Sequence, residues 1–219
     1  MLVANSKPKV TLSAAITLDG KIGQKNKHIV LSSKADKIRV HKLRSKSDAI
    51  LVGKNTVEQD DPLLTVRYAK GKNPIRIILD SHGRIKNTSK IIKTCKRVPT
   101  IIVTSEIISK PNLNRLQKLP IDVIVCGKTQ VNITKLLSIL SKKGIKTVLL
   151  EGGGTLNRSF LKKNLIDEMI IALTPYVLGS KNTVSLFEGM SFPELKTKLP
   201  LKLKNIQKNG NEIILNYKI

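Results

Sequence analysis

Three stretches of this chain place chemistry-bearing residues close together. The first is Leu149-Leu150-Glu151-Gly152-Gly153-Gly154-Thr155-Leu156-Asn157. An apolar run enters three glycines and leaves them as a helical pattern, so backbone amides and a helix N-terminus can face an anion. A dinucleotide pyrophosphate is the expected guest, and Glu151 puts an ionisable group at the mouth of the same crevice. The run is neither GxGxxG nor a P-loop, and a tight strand-to-helix turn also calls for glycine. The second stretch, residues 52–67, reads VGKNTVEQDDPLLTVR. Gly53 allows close backbone approach, and Thr56 and Asp60 sit one turn apart on a short helix. Asp61-Pro62 fits a proline-terminated loop, which projects Arg67 as a fixed arm. The third stretch, Thr17-Leu18-Asp19-Gly20-Lys21, reads as a tight turn, since Asp-Gly supplies the positive φ angles that turns need. Asp19, Lys21 and Glu151 are the acid–base candidates, and no spacing singles one of them out.

The elements that must position these stretches are legible from periodicity. Short β-branched runs at 10–18, 49–52, 75–79, 100–104, 123–125 and 147–150 read as strands, the later ones continuous enough to be buried on both faces of a largely parallel sheet. Helical patterns fall between them: from a Ser32 or Ser33 cap through Ser45, over 112–118, from an Asn132 cap to a stop at Gly144, and over 155–163. His41 on the first of these helices reads as structural. After Asp167 the pattern changes to strands at 169–173, 201–206 and 212–217 without intervening helices, the last two joined at Asn209-Gly210. The expectation is an α/β fold in a single domain over 1–219, with a mainly parallel central sheet, antiparallel C-terminal strands and flanking helices. The functional loops then lie at the strand ends, where open α/β sheets gather ligands.

The formal net charge is +25, which raises the question of nucleic acid. The basic residues are 32 lysines and 8 arginines spread along the chain, aromatics are 3%, and there is no Trp. Base readout and bidentate phosphate grip favour arginine, and single-strand binding needs aromatic platforms, so specific nucleic-acid binding is not expected. A positive field still draws in anionic small molecules. Cys95 and Cys126 lack CxxC spacing, which argues against a zinc knuckle or disulfide framework. No apolar run has membrane-span length and the start has no signal-peptide pattern, so a cytoplasmic protein without a membrane partner is expected.

Taken in order, Ile16-Thr17-Leu18-Asp19-Gly20-Lys21, Arg39-Val40-His41-Lys42-Leu43-Arg44, residues 53–67, Asn73-Pro74-Ile75-Arg76-Ile77-Ile78-Leu79-Asp80-Ser81, residues 150–157 and Thr174-Pro175-Tyr176-Val177-Leu178-Gly179 cover nearly the whole chain. Each is loose alone, but the ordered set is specific. The chain resembles the riboflavin-pathway reductases, whose domain is related to dihydrofolate reductase. Bacterial members carry a zinc deaminase domain ahead of the reductase, with an H-x-E and a later P-C-x-x-C. Neither occurs here, so the chain looks like the stand-alone archaeal and fungal type, and no metal site is expected.

That resemblance implies NADPH-dependent reduction of 2,5-diamino-6-ribosylamino-4(3H)-pyrimidinone 5′-phosphate to its ribitylamino product, with NADH at most a weaker substitute. It also implies a homodimer, and the apolar runs 169–173 and 213–219 are expected to leave an open edge that a second copy covers. It puts Thr56, Asp60, Ser81, His82, Gly83 and Arg84 near the cofactor; Arg84, placed just after the 75–79 strand and the 80–83 turn at the expected ligand edge, is the leading reader of the 2′-phosphate. Gly152, Gly153, Gly154 and Thr155 fall around the cofactor phosphates, and Arg44, Leu64, Arg67 and Glu151 against the substrate. Tyr176 departs from the lysine common after Ala-Pro in the family. The alternatives are a reductase for the deaminated pyrimidine, dihydrofolate reductase itself, which usually has a Trp near the nicotinamide, and a basic nucleic-acid-binding protein.

Overall fold

The structure, a computed structural model, describes residues 7–179, 181–190 and 199–219. Its strands are β1 (Lys9–Ile16), β2 (Lys21–Gln24), β3 (Ala49–Gly53), β4 (Ile75–Leu79), β5 (Thr100–Thr104), β6 (Asp122–Val125), β7 (Thr147–Leu150), β8 (Glu168–Leu173), β9 (Thr183–Ser185), β10 (Lys202–Asn209) and β11 (Glu212–Lys218). Its helices are α1 (Lys34–Ser45), α2 (Lys54–Asp60), α3 (Lys90–Lys93), α4 (Lys110–Gln117), α5 (Ile133–Lys142) and α6 (Gly154–Lys162). Nine strands form one sheet in the order β10-β11-β8-β1-β7-β3-β4-β5-β6, and β2 pairs with β9 as a separate ribbon. From β8 to β6 all pairings are parallel, and β11 joins β8 antiparallel.

Successive residues of the central strands feed opposite faces, which is why these strands are continuously apolar. Leu51 and Ile77 meet Leu136 and Leu140 of α5 and Phe160 of α6, whereas Ile50, Val52 and Ile78 meet Val57, Ile91, Ile92 and Leu116 of the helices across the sheet. Serine and asparagine caps begin four helices: Ser33 accepts from the Asp36 amide, Ser89 from Ile92, Ser109 from Asn112 and Asn132 from Lys135.

Arg76 on β4 is fully buried with no carboxylate of the described residues beside it, and burial pushes its pKa down to about 10. Its guanidinium instead donates to the Thr100 and Thr94 hydroxyls and to the carbonyls of Ile91, Val98 and Leu63. It thereby ties α3 and the base of the residue 61–67 arm to the sheet.

Two expectations for the C-terminal strands need correction. The two-residue turn is Gly210-Asn211, because Asn209 already pairs with Glu212. Gly210 at φ +65° takes the first central place, where a II′ turn needs glycine. The apolar runs 169–173 and 213–219 are not an open edge either, since β8 lies between β1 and β11, and β11 between β8 and β10. The outer strand is β10, which leaves Leu203 and Ile206 exposed, with Ile213 of β11 exposed beside them.

Candidate active site

The C-terminal ends of β3, β4, β6 and β7 open onto a cleft of about 1210 Å³, the position expected for a ligand on an open α/β sheet. Gly153, Gly154 and Thr155 form one wall, and Thr56 and Asp60 of α2 another. Leu79, Ser81 and His82 follow β4, and Thr129, Gln130 and Val131 follow β6. The β2–β9 ribbon closes the remaining side through Ile22, Gly23 and Val184. This ribbon is tied to α2, since Gln59 donates to the carbonyls of Gln24 (2.8 Å) and Lys27 (3.3 Å) and His28 lies 3.1 Å from Asp60.

The three glycines have different tasks. Gly152, at φ +92°, lets the chain turn out of β7, and its carbonyl accepts from the Gly53 amide at 3.0 Å. A Cβ on Gly153 would meet only the Thr56 hydroxyl at 3.3 Å, so this residue faces the open cleft. A Cβ on Gly154 would stand 2.3 Å from the Ser185 carbonyl oxygen, so the missing side chain there admits the 185–188 segment of the protein itself. The amides of Gly154 and Thr155 open α6 and have no preceding turn to bond to, which leaves donors and the positive end of the helix at the cleft wall. The loop thus fits the phosphates of a dinucleotide.

A second cluster gathers at the same end of β7. Glu151 is gripped by Arg44 of α1 through both oxygens, at 2.8 and 2.7 Å. The third side of Arg44 donates to the Thr65 carbonyl at 3.1 Å. Arg44 is only 9% exposed. Burial opposes its charge, but the Glu151 carboxylate and its hydrogen bonds outweigh that and raise its pKa. Arg67 is exposed, donates to the Thr65 hydroxyl at 2.9 Å and sits 5.9 Å from the Tyr68 ring centroid. With Glu151 cancelling Arg44, Arg67 is the surplus positive charge of the cluster. Leu64 turns the arm at φ +53°, and its side chain is 2% exposed in the core with Val52 and Val57. Any ligand contact at Leu64 is therefore confined to its backbone.

Not all expected residues converge. Gly83 is buried in its turn, where a Cβ would meet Ile108 at 2.5 Å, and Arg84 is exposed outside the cleft wall. Asp19 accepts from the Thr17 hydroxyl at 2.6 Å and from the amides of Leu178 (3.2 Å) and Gly179 (2.8 Å), so its carboxylate anchors the 174–179 loop. The Thr17 hydrogen bond leads the interactions that lower the Asp19 pKa, the opposite of what a proton donor at neutral pH requires. The Lys21 ammonium donates to the Ser185 hydroxyl at 3.2 Å, within the ribbon. Lys25, Lys27, Lys54 and Lys163 line the cleft but carry no motif that marks them; applying the strand-end rule to β6 would have found residues 129–131.

Residues 8–215 match the family described as RibD C-terminal domain. A 2,5-diamino-6-ribosylamino-4(3H)-pyrimidinone 5′-phosphate reductase of Aquifex aeolicus is 36% identical over 219 residues, which cover 97% of each chain. The enzyme of the same name from Methanothermobacter thermautotrophicus is 37% identical over 97% of this chain and 99% of its own. Among solved structures, Acinetobacter baumannii RibD is similar with a TM-score of 0.81 at 27% identity, covering 97% of this chain and 58% of that one. This chain thus spans little more than half of that protein. The yeast riboflavin biosynthesis reductase Rib7 has a TM-score of 0.74 at 25% identity, covering 97% and 90%. With a match that runs from the residue before β1 into β11, and full-length relatives above 35% identity, the chain belongs to the RibD C-terminal domain family.

Proposed function

We propose that this chain is a cytoplasmic, single-domain reductase that converts the ribosylamino group of 2,5-diamino-6-ribosylamino-4(3H)-pyrimidinone 5′-phosphate to ribitylamino, with NADPH as reductant. The observation that carries this reading is that one strand end, residues 150–155, borders both a glycine-walled cleft sized for a dinucleotide and a charged cluster with one surplus cation. The names of the Aquifex and Methanothermobacter relatives supply the substrate.

In this reading Gly153, Gly154 and Thr155 hold the cofactor's phosphates, and Thr56, Asp60, Ser81 and His82 line its remaining length. When bound, the cofactor supplies a hydride to the sugar's C1′, where ring opening gives an imine electrophile. The protein aligns the two partners: Arg67 takes the 5′-phosphate, and Glu151, held rigid by Arg44, accepts from substrate donors beside the glycine loop. With Asp19 committed to the 174–179 loop, alignment supplies more of the rate than any one acid. The 2′-phosphate falls to cleft lysines rather than to Arg84, which stands off the wall.

The protein works as a homodimer in this reading, with the apolar row of Leu203, Ile206 and Ile213 on the outer strands as the surface for a second copy. Among the described residues no helix is long and apolar enough to cross a membrane. A titration of nicotinamide fluorescence tests the cofactor assignment against the basic nucleic-acid-binding alternative. The expected result is saturable NADPH binding near one site per chain, tighter than for NADH. Absence of saturable binding, with RNA binding that collapses steeply as salt rises, overturns the reductase reading.

A further inference from the structure

We infer that His41 is a positioning residue for substrate phosphate: its ring holds the backbone of the arm that carries Arg67. This rests on the assignment of Arg67 as the phosphate contact. His41 projects from α1 and is 3% exposed. Its Nδ1 accepts from the Arg67 amide at 2.7 Å and lies 3.4 Å from the Tyr68 amide. The neutral ring therefore carries its proton on Nε2. The Tyr68 ring packs against the imidazole edge-on, with centroids 4.7 Å apart. These contacts pin the arm immediately at Arg67, while Arg44 pins it two residues earlier through the Thr65 carbonyl. The exposed Arg67 guanidinium thus extends from a backbone fixed on α1, and α1 also orients Glu151 through Arg44. One helix positions both charges of the substrate cluster.

The groups facing the ring explain why it stays an acceptor. Burial, then the charges of Arg44 and Arg67, push its pKa down to about 4, with Glu151 opposing them. A protonated ring would point an N–H at the Arg67 amide and release the arm. Because the folded value lies below the ordinary 6.5, the neutral ring's stabilising contribution is present above pH 6.5 and is lost as pH falls from there through about 4.

The test compares His41→Phe, which fills the ring's place without an acceptor, with His41→Asn, whose Oδ1 can stand where Nδ1 accepts. Each is made alone and with Arg67→Ala. His41→Phe is expected to raise KM for the phosphorylated substrate about tenfold, the effect of losing one well-placed hydrogen bond. NADPH affinity and kcat should stay within about twofold, and His41→Asn should recover most of the loss. In the Arg67→Ala background His41→Phe should add less than about twofold, because its effect runs through Arg67. Additive losses, or a folded His41→Asn as impaired as Arg67→Ala, overturn the positioning role and leave the clamp standing. An unchanged kcat/KM in Arg67→Ala alone removes the clamp, and the positioning role with it. If His41→Phe does not fold, His41→Asn still decides the matter.

Discussion

Replacing Arg67 by alanine is expected to lower kcat/KM for the phosphorylated substrate about tenfold to a hundredfold while NADPH affinity is unchanged. Arg44 is held by Glu151 through two short hydrogen bonds, so its charge is already matched and is not free to neutralise a dianionic phosphate. Arg67 is the remaining cation of the cluster and is exposed, with one hydroxyl contact to Thr65. A charge-assisted contact there is worth about 1.5–3 kcal/mol, which sets the range of the loss. Because the phosphate is remote from C1′, that binding energy aligns the reacting carbon with the nicotinamide. The competing reading makes Arg67 a solvated surface charge, for which alanine changes little. Stability should fall by no more than about 0.5 kcal/mol, since the side chain buries nothing that the fold needs. Steady-state kinetics with a parallel cofactor titration separates the readings. Normal turnover, or an equal loss of cofactor affinity, places the phosphate contact elsewhere.

The second large effect is expected at Gly153. Valine there should weaken NADPH binding at least about tenfold and leave the melting transition close to that of the parent protein. The backbone at Gly153, with φ −80° and ψ −171°, suits any residue, and an added Cβ meets only the Thr56 hydroxyl at 3.3 Å. The rest of the side chain must occupy the cleft, where a pyrophosphate would approach the loop backbone. Gly154→Val is the matched contrast. Its Cβ would overlap the Ser185 carbonyl at 2.3 Å, so it should damage the protein itself. Unchanged NADPH affinity in folded Gly153→Val would falsify the phosphate-loop assignment.

Much of this architecture is legible in the sequence because it depends on local chemistry. β4, β5 and β7 fall on the expected residues, since a strand buried on both faces announces itself as a short apolar run. Ser33 and Asn132 begin α1 and α5 as their side chains dictate. The β2–β9 ribbon is not legible: its strands, KIGQ and TVS, are four and three residues long, too short for alternation to stand out. The candidate site divides along the same line. The glycine run signals a turn facing a cleft, but only packing tells Gly153, open to the cleft, from Gly154, which makes room for Ser185. Arg44 and Glu151 are 107 positions apart, and their pairing is a product of α1 crossing the end of β7. His41 reads as structural from its helix face. Its hold on Arg67, 26 positions away, belongs to the folded arm and not to any spacing.

The central claim is best tested by supplying the purified protein with NADPH and following its oxidation against two substrates side by side. These are the 2,5-diamino ribosylamino pyrimidinone 5′-phosphate and its deaminated counterpart. A stand-alone reductase acting before deamination should oxidise NADPH with the diamino compound at a kcat/KM at least about tenfold higher than with the other. NADPH oxidation that favours the deaminated compound, or that occurs with neither, would contradict the account.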